Sequence, residues 1–222
     1  MNNKYTFWIF LFFLISFIAW WYFYAFTTLN KADEDSPDVV QEGENTPVPE
    51  EEIKNPEPRE VGEALTDVIT YTLNAASLEH WVYFDFSIGS IVEVANPSSL
   101  DWDIGFRRAL IITNSGKSNQ SGMGGVAKLE NTEFESVKEA PESGYVLDVR
   151  RGPTETENPA MKKWYDYSYM THVLKPKKNV YIIRTADGKY AKMQILKYTC
   201  GRLTACYTIK YVYQGNGSRR FY

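Results

Sequence analysis

The chain has few of the side chains from which active sites are usually built. Of its 222 residues only two are histidine and two are cysteine. His80 and His172 are therefore its only side chains whose ordinary pKa lies near neutrality. No Gly-x-Ser-x-Gly, no His-Glu-x-x-His and no phosphate-binding loop occurs. Asp101 and Asp103 flank Trp102 at alternate positions, a spacing open to acid–base chemistry but equally natural for solvated or turn-capping carboxylates. This inventory argues against an enzyme. Two cysteines also rule out a disulfide-dense scaffold and a four-cysteine zinc site. Dense basic clusters are missing too, which speaks against a nucleic-acid partner.

What the chain does have is unevenly distributed. Residues 5–26 form a run of 22 without a charge, rich in Phe, Trp, Ile and Leu and long enough to cross a bilayer as a helix. A cleaved signal peptide is the competing reading. Its apolar run would be shorter and would close on small residues, whereas this one closes on Trp20, Trp21, Tyr22, Phe23 and Tyr24, rings suited to the membrane interface. An uncleaved N-terminal transmembrane helix over residues 1–28 is expected, with the N-terminus in the cytoplasm and the rest of the chain outside it, in the periplasm or at the cell surface.

Residues 31–60 carry eleven acids, three bases and five prolines, with hardly any large apolar side chain. Such a segment cannot offset its ordering entropy by burial. Residues 29–62 therefore read as a flexible acidic linker that provides reach, and residues 63–222 as the folded domain. From 61 onward 20 Lys and Arg face 17 Asp and Glu, so the acidity of the whole chain, net charge −4, belongs to the linker.

The domain reads as all-β. Ile69, Tyr71 and Leu73 alternate with Thr70, Thr72 and Asn74, and Val82, Phe84 and Phe86 with Tyr83 and Asp85, the period of half-buried strands. Further strands are expected at 91–94, 102–113, 126–130 and 145–149, with a helical stretch near 133–140. The clearest block is 178–185, 189–199 and 205–213, joined by an Asp187-Gly188 turn and by a second hairpin flanked by Cys200 and Cys206. Those cysteines can face each other across the hairpin as a disulfide, which together with the apolar run favours an oxidising compartment. An antiparallel meander within a sandwich-like fold is the expected architecture.

Two segments are long for loops, 114–125 and 151–171, and such loops on a rigid β scaffold are common binding sites. The stretch 161–172, which runs from the second of these to His172, offers Met161, Lys162, Lys163, Trp164, Tyr165, Tyr167, Tyr169, Met170 and His172 within twelve positions. A porphyrin needs an aromatic cleft, one or two axial ligands and cations near its propionates. This composition permits such a site, and it fits ordinary core and surface aromatics as well.

The segments 82–87 (VYFDFS), 102–125 (WDIGFRRALIITNSG running to GMGG) and 179–192 (NVYIIRTADGKYAK) together resemble the HmuY family of bacterial haem-binding proteins. The resemblance spans roughly residues 65–222. It implies an all-β haem carrier that holds haem reversibly between loops and passes it on without catalysis. It also implies haem as partner, with a TonB-dependent outer-membrane receptor downstream and a haemoprotein as source. In that family one axial histidine lies shortly before the C-terminal block, where His172 stands here. A second, mid-domain histidine has no counterpart in this chain, which leaves Met123 and Met161 as candidate thioether ligands. Trp164, Tyr165, Tyr167, Tyr169 and Met170 would line the pocket, with Lys162 and Lys163 near the propionates. The alternative is a module of the same fold without haem that recognises a protein or glycan through its aromatic loop.

Overall fold

The run from Val180 to Ile183 is buried at every residue, which a strand achieves only when both faces of its sheet are covered. Tyr181 and Ile183 enter one core cluster, while Val180 and Ile182 enter another on the opposite face. The computed structural model describes residues 53–60, 62 and 64–222, together with Trp20. The chain divides into two compact units, Met1–Pro47 and Val48–Tyr222, and the fold described here is that of the second. The membrane span expected over 5–26 lies outside the described residues apart from Trp20, which is helical. Among the described residues no helix is long and apolar enough to cross a membrane.

Among the described residues thirteen strands follow one another. They are β1 (Ile69–Asn74), β2 (Val82–Asp85), β3 (Ser90–Val92), β4 (Ile104–Arg107), β5 (Leu110–Thr113), β6 (Gly125–Leu129) and β7 (Val149–Arg151). After these come β8 (Glu155–Glu157), β9 (Tyr165–Ser168), β10 (Val173–Pro176), β11 (Val180–Arg184), β12 (Tyr190–Cys200) and β13 (Leu203–Gln214). A five-stranded sheet runs β1-β13-β12-β11-β6 and a four-stranded sheet runs β3-β2-β4-β5, while β7-β8 and β9-β10 are two-stranded ribbons. All pairings are antiparallel. The expected meander is the consecutive block β11-β12-β13, and β1 and β6 reach its edges from far away in sequence.

The two sheets face each other across an aromatic core. Phe84 meets Tyr71 at 5.0 Å and Tyr211 at 5.6 Å between ring centroids, and Phe106 meets Tyr207 at 4.9 Å. Each fully buried side chain of this size contributes about 1.5–3 kcal/mol, with further gain from edge-to-face geometry. On the far face of the five-stranded sheet, Phe134, Val137, Ala140 and Phe221 cover Val180, Ile182 and Val212. Lys192 is buried there, donating from Nζ to the carbonyls of Phe134 and Val137 at 3.1 and 2.9 Å.

Three local expectations are corrected. The single strand expected over 102–113 is the hairpin β4-β5, because Arg108 adopts φ 51° and reverses the chain with Ala109. Arg107 bonds Glu155 and lies over the Trp81 ring, and Arg108 reaches the carbonyl of Ala76. The helix expected near 133–140 is a single 3-10 turn, Phe134–Ser136, held by Phe134 as a core anchor. The linker expected over 29–62 ends in a docked strap. Asn55 exchanges two hydrogen bonds of 2.7 Å with the backbone of Thr72 on edge strand β1, and Arg59 bonds the carbonyls of Phe86 and Ile88. Cys200 and Cys206 are disulfide-bonded, closing the β12-β13 hairpin.

Asp103 ties the two sheets together. Its carboxylate accepts from the amide of Phe86, just past β2, at 2.9 Å, and from that of Ala186, just past β11, at 2.8 Å. Burial, reinforced by the charge of Asp85 and to a lesser degree Asp187, pushes its pKa up to about 8 against the two amide hydrogen bonds. The unfolded chain releases this proton near pH 3.8, so between about pH 4 and 8 the native state holds a proton that the unfolded state lacks. This contribution therefore makes stability fall as pH rises through that window. Asp103→Asn leaves one amide without an acceptor and should cost about 1–3 kcal/mol at pH 5. Because the variant lacks the titration, the gap to wild type should narrow at pH 8 in urea unfolding.

Candidate functional site

The aromatic segment folds as the β9-β10 ribbon. Tyr165 pairs with Pro176, Tyr167 with Leu174 and Ser168 with Val173, so residues 169–172 form the tip. Alternation of Tyr165 and Tyr167 around Asp166 is a strand signal within what composition alone marks as loop. His172 closes the turn in the left-handed region at φ 53°, its amide donating to the Ser168 carbonyl at 2.8 Å. Tyr169 and Met170 are 84% and 94% exposed, a large apolar area to hold in water.

The tip is ordered around Tyr167. Its ring meets Tyr169 edge-on at 4.9 Å, and its hydroxyl lies 2.6 Å from His172 Nδ1. When Nδ1 donates to that hydroxyl, Nε2 carries the free lone pair. A metal-ligating histidine is commonly oriented in this way by a bond to its other nitrogen. Tyr167, Tyr169, Met170 and His172 are thus gathered on one exposed hairpin.

The remaining candidates take other places. Trp164 is 1% exposed, packed on Tyr165, Tyr198 and Tyr207 at 5.0 to 5.2 Å, with its indole N–H donating to the Ala109 carbonyl at 3.1 Å. Tyr165 packs against the same core from the base of the ribbon, and Met161 is enclosed within it. Lys162 bonds Glu157 at 3.1 Å, and Lys163 is exposed. Met123 is half exposed, its amide bonded to the Ala186 carbonyl at 2.9 Å and its carbonyl to Arg184, so it sits past the C-terminal end of β11. His172 belongs to the ribbon that leads into the N-terminal end of β11. The two are thus held by different elements, Met123 by the chain after β11 and His172 by the tip of the β9-β10 ribbon.

Sequence reasoning missed two groups of residues. Tyr198 and Tyr207 form the aromatic floor under Trp164, and their positions on β12 and β13 mark them only as strand residues. Asp148 is the second. It is buried and accepts from the Thr113 amide and hydroxyl, Ser118 and Asn158 at 2.6–2.9 Å, which pins the 114–125 loop to the chain leading into β7. That loop's Ser, Gly and Asn composition predicts turns but not the partners that hold them.

Residues 77–213 match the family model of the HmuY protein. No match was found among curated proteins. Among solved structures, the apo HmuY analogue of Tannerella forsythia superposes with a TM-score of 0.56 at 19% identity, covering 68% of this chain and 98% of its own. A Bacteroides vulgatus protein assigned as HmuY-like and haem-binding gives 0.54 at 22% identity over 70% and 98%. A Bacteroides fragilis protein assigned as a lipoprotein gives 0.54 at 17% identity over 71% and 93%. At these identities the likeness is one of fold.

Proposed function

The chain belongs to the HmuY family, and from that membership we propose that it is a haem-binding protein working outside the cytoplasm, with His172 as an axial ligand. The observation that carries this reading is the pairing of the Tyr167 hydroxyl with His172 Nδ1 at the tip of an exposed aromatic hairpin. Bound haem supplies an iron centre that takes nitrogen, sulfur or oxygen ligands. The residues fit that need. Tyr167 orients the imidazole, Tyr169 and Met170 offer apolar surface for the porphyrin face, and Lys163 is free to approach a propionate. Met161 lies inside the core and Met123 past the far end of β11, so His172 is the axial residue that the arrangement favours.

The role is capture and relay of haem without catalysis, taken from a haemoprotein and passed to an outer-membrane receptor of the TonB-dependent class. An N-terminal membrane helix over residues 1–28 would keep the domain close to one membrane and so suit local storage or relay. The Cys200–Cys206 disulfide accords with an oxidising compartment.

Titration of the full chain with haemin in mild detergent, followed in the Soret region, should give saturable one-to-one binding. Tyr167→Phe keeps the ring but removes the atom that holds Nδ1, and should weaken binding by about tenfold. Absence of a Soret shift with ferric or ferrous haem would leave the exposed Tyr169 and Met170 as an interaction surface for a protein or glycan.

A further inference from the structure

A cavity of about 500 Å³ opens away from the aromatic hairpin, among the β2-β3 turn, the 93–103 segment, the β11-β12 turn and the end of β13. Five carboxylates line it, those of Asp85, Glu93, Asp101, Asp103 and Asp187, and no basic side chain does. Of these acids Asp187 pairs with Lys189 at 3.1 Å. Asp85 uses its Oδ1 on the amide and hydroxyl of Ser87, and Asp103 is committed to the two backbone amides described above. Asp103 keeps its proton up to about pH 8, so the negative charge of this concave site rests on Asp85, Glu93, Asp101 and Asp187, the last of them offset by Lys189.

Tyr213 adds an independent observation. It is 1% exposed, lines the same cavity, and its hydroxyl has no hydrogen-bond partner. Burial, and then the charges of Asp187, Asp103 and Asp85, hold that hydroxyl above the usual tyrosine range against the opposing charge of Arg59, which keeps it protonated. Arg59 lies over the Tyr213 ring at 5.9 Å, with its Nη2 donating to the carbonyls of Phe86 and Ser87 and its backbone amide to that of Ile88, while its Nη1 is buried without a partner. A buried hydroxyl without a partner is costly and marks a place where a polar group is missing.

The spacing of the acids decides what kind of cation fits. Among the described residues no three metal-ligating side chains stand close enough to hold an ion, so a bare metal ion would lack its ligand shell. Ile88, Val92 and Leu100 form an apolar part of the wall, which suits methylene groups and not a shell of water. Separated carboxylates, an apolar wall and a hydroxyl able to accept from N–H match a flexible chain carrying several ammonium groups.

We propose that this cleft binds an organic polyamine, whose ammonium groups would meet the separated carboxylates and the Tyr213 hydroxyl while its methylenes lie along Ile88, Val92 and Leu100. Calorimetric titration of the full chain with spermidine tests this. The acidic segment 31–60 also attracts polyamines, so the informative comparison is with variants that leave that segment unchanged. Asp101→Asn and Glu93→Gln remove exposed charges at the rim with little risk to folding, and Tyr213→Phe removes a single oxygen. One saturable site per chain is expected, weakened severalfold in each variant, with equimolar magnesium or calcium failing to compete. Binding unchanged in all three variants, full displacement by the divalent ions, or no saturable site would each overturn the proposal.

Discussion

Trp164→Ala should lower the stability of the domain by about 3–5 kcal/mol, the usual cost of deleting a fully buried large aromatic. The indole fills the space between the β9-β10 ribbon and the five-stranded sheet, in contact with Tyr165, Tyr198 and Tyr207. Its N–H satisfies the Ala109 carbonyl at the β4-β5 turn, so one side chain joins the ribbon, the main sheet and the second sheet. The substitution opens a cavity and removes a hydrogen bond together. Trp164→Phe should recover most of the loss, leaving about 1–2 kcal/mol for the missing donor and the smaller ring. Urea unfolding of the three proteins checks this. A loss below 1 kcal/mol for Trp164→Ala would show that the ribbon is loosely attached and that Trp164 is free for another role.

Asp148→Ala should cost about 3–5 kcal/mol, because several buried donors lose their acceptor together at about 1–3 kcal/mol for each left unsatisfied. The amide and hydroxyl of Thr113, the hydroxyl of Ser118 and the amide of Asn158 all point at this carboxylate within 2.9 Å. Burial pushes its pKa up while these hydrogen bonds oppose the shift, so the carboxylate is held by a full set of donors in place of a counter-charge. The backbone takes part as well, since Lys117 donates to the Asp148 carbonyl at 3.0 Å. Gly116 passes so close, at φ 52°, that an added Cβ would lie 2.3 Å from that oxygen. Loss of Asp148 should therefore raise amide exchange across 114–119 before it affects β11 to β13. Uniform acceleration across the whole domain would instead place Asp148 in the global core.

The strands were legible in the sequence wherever one rule acted alone. Alternation at 69–74 and 82–86 and the Asp187-Gly188 turn depend on local periodicity and backbone freedom, and the structure has them in place. Features decided by distant partners were not legible. Arg108 reverses the chain without a glycine because the fold supplies carbonyl partners, with its amide bound to Ala75 at 2.8 Å and its guanidinium to Ala76. The acidic composition around Asn55 and Arg59 predicts free chain, yet two side chains with specific geometry dock it on an edge strand and a turn.

The candidate site divides in the same way. Residue types near His172 pointed to a cluster, but whether each side chain faces inward depends on the pairing of β9 with β10. Trp164 and Met161 enter the core, while Tyr169 and Met170 lie in solvent. A sequence window cannot separate these outcomes because the segment changes from buried chain to exposed turn within a few residues. Met123 and His172, each reasonable as a ligand by type, are held on different elements, Met123 against the segment after β11 and His172 at the tip of the β9-β10 ribbon, by hydrogen bonds invisible in either local sequence.

The most direct test of the haem reading is a haemin titration of the full chain beside His172→Ala, with urea unfolding measured on both. His172 is exposed at a turn and adopts φ 53°, so alanine there should change stability by about 1 kcal/mol or less in either direction. The account predicts one-to-one haemin binding by the wild type and a loss of tenfold or more in the variant, with unfolding nearly unchanged. Equal haemin affinity in the two proteins would contradict it.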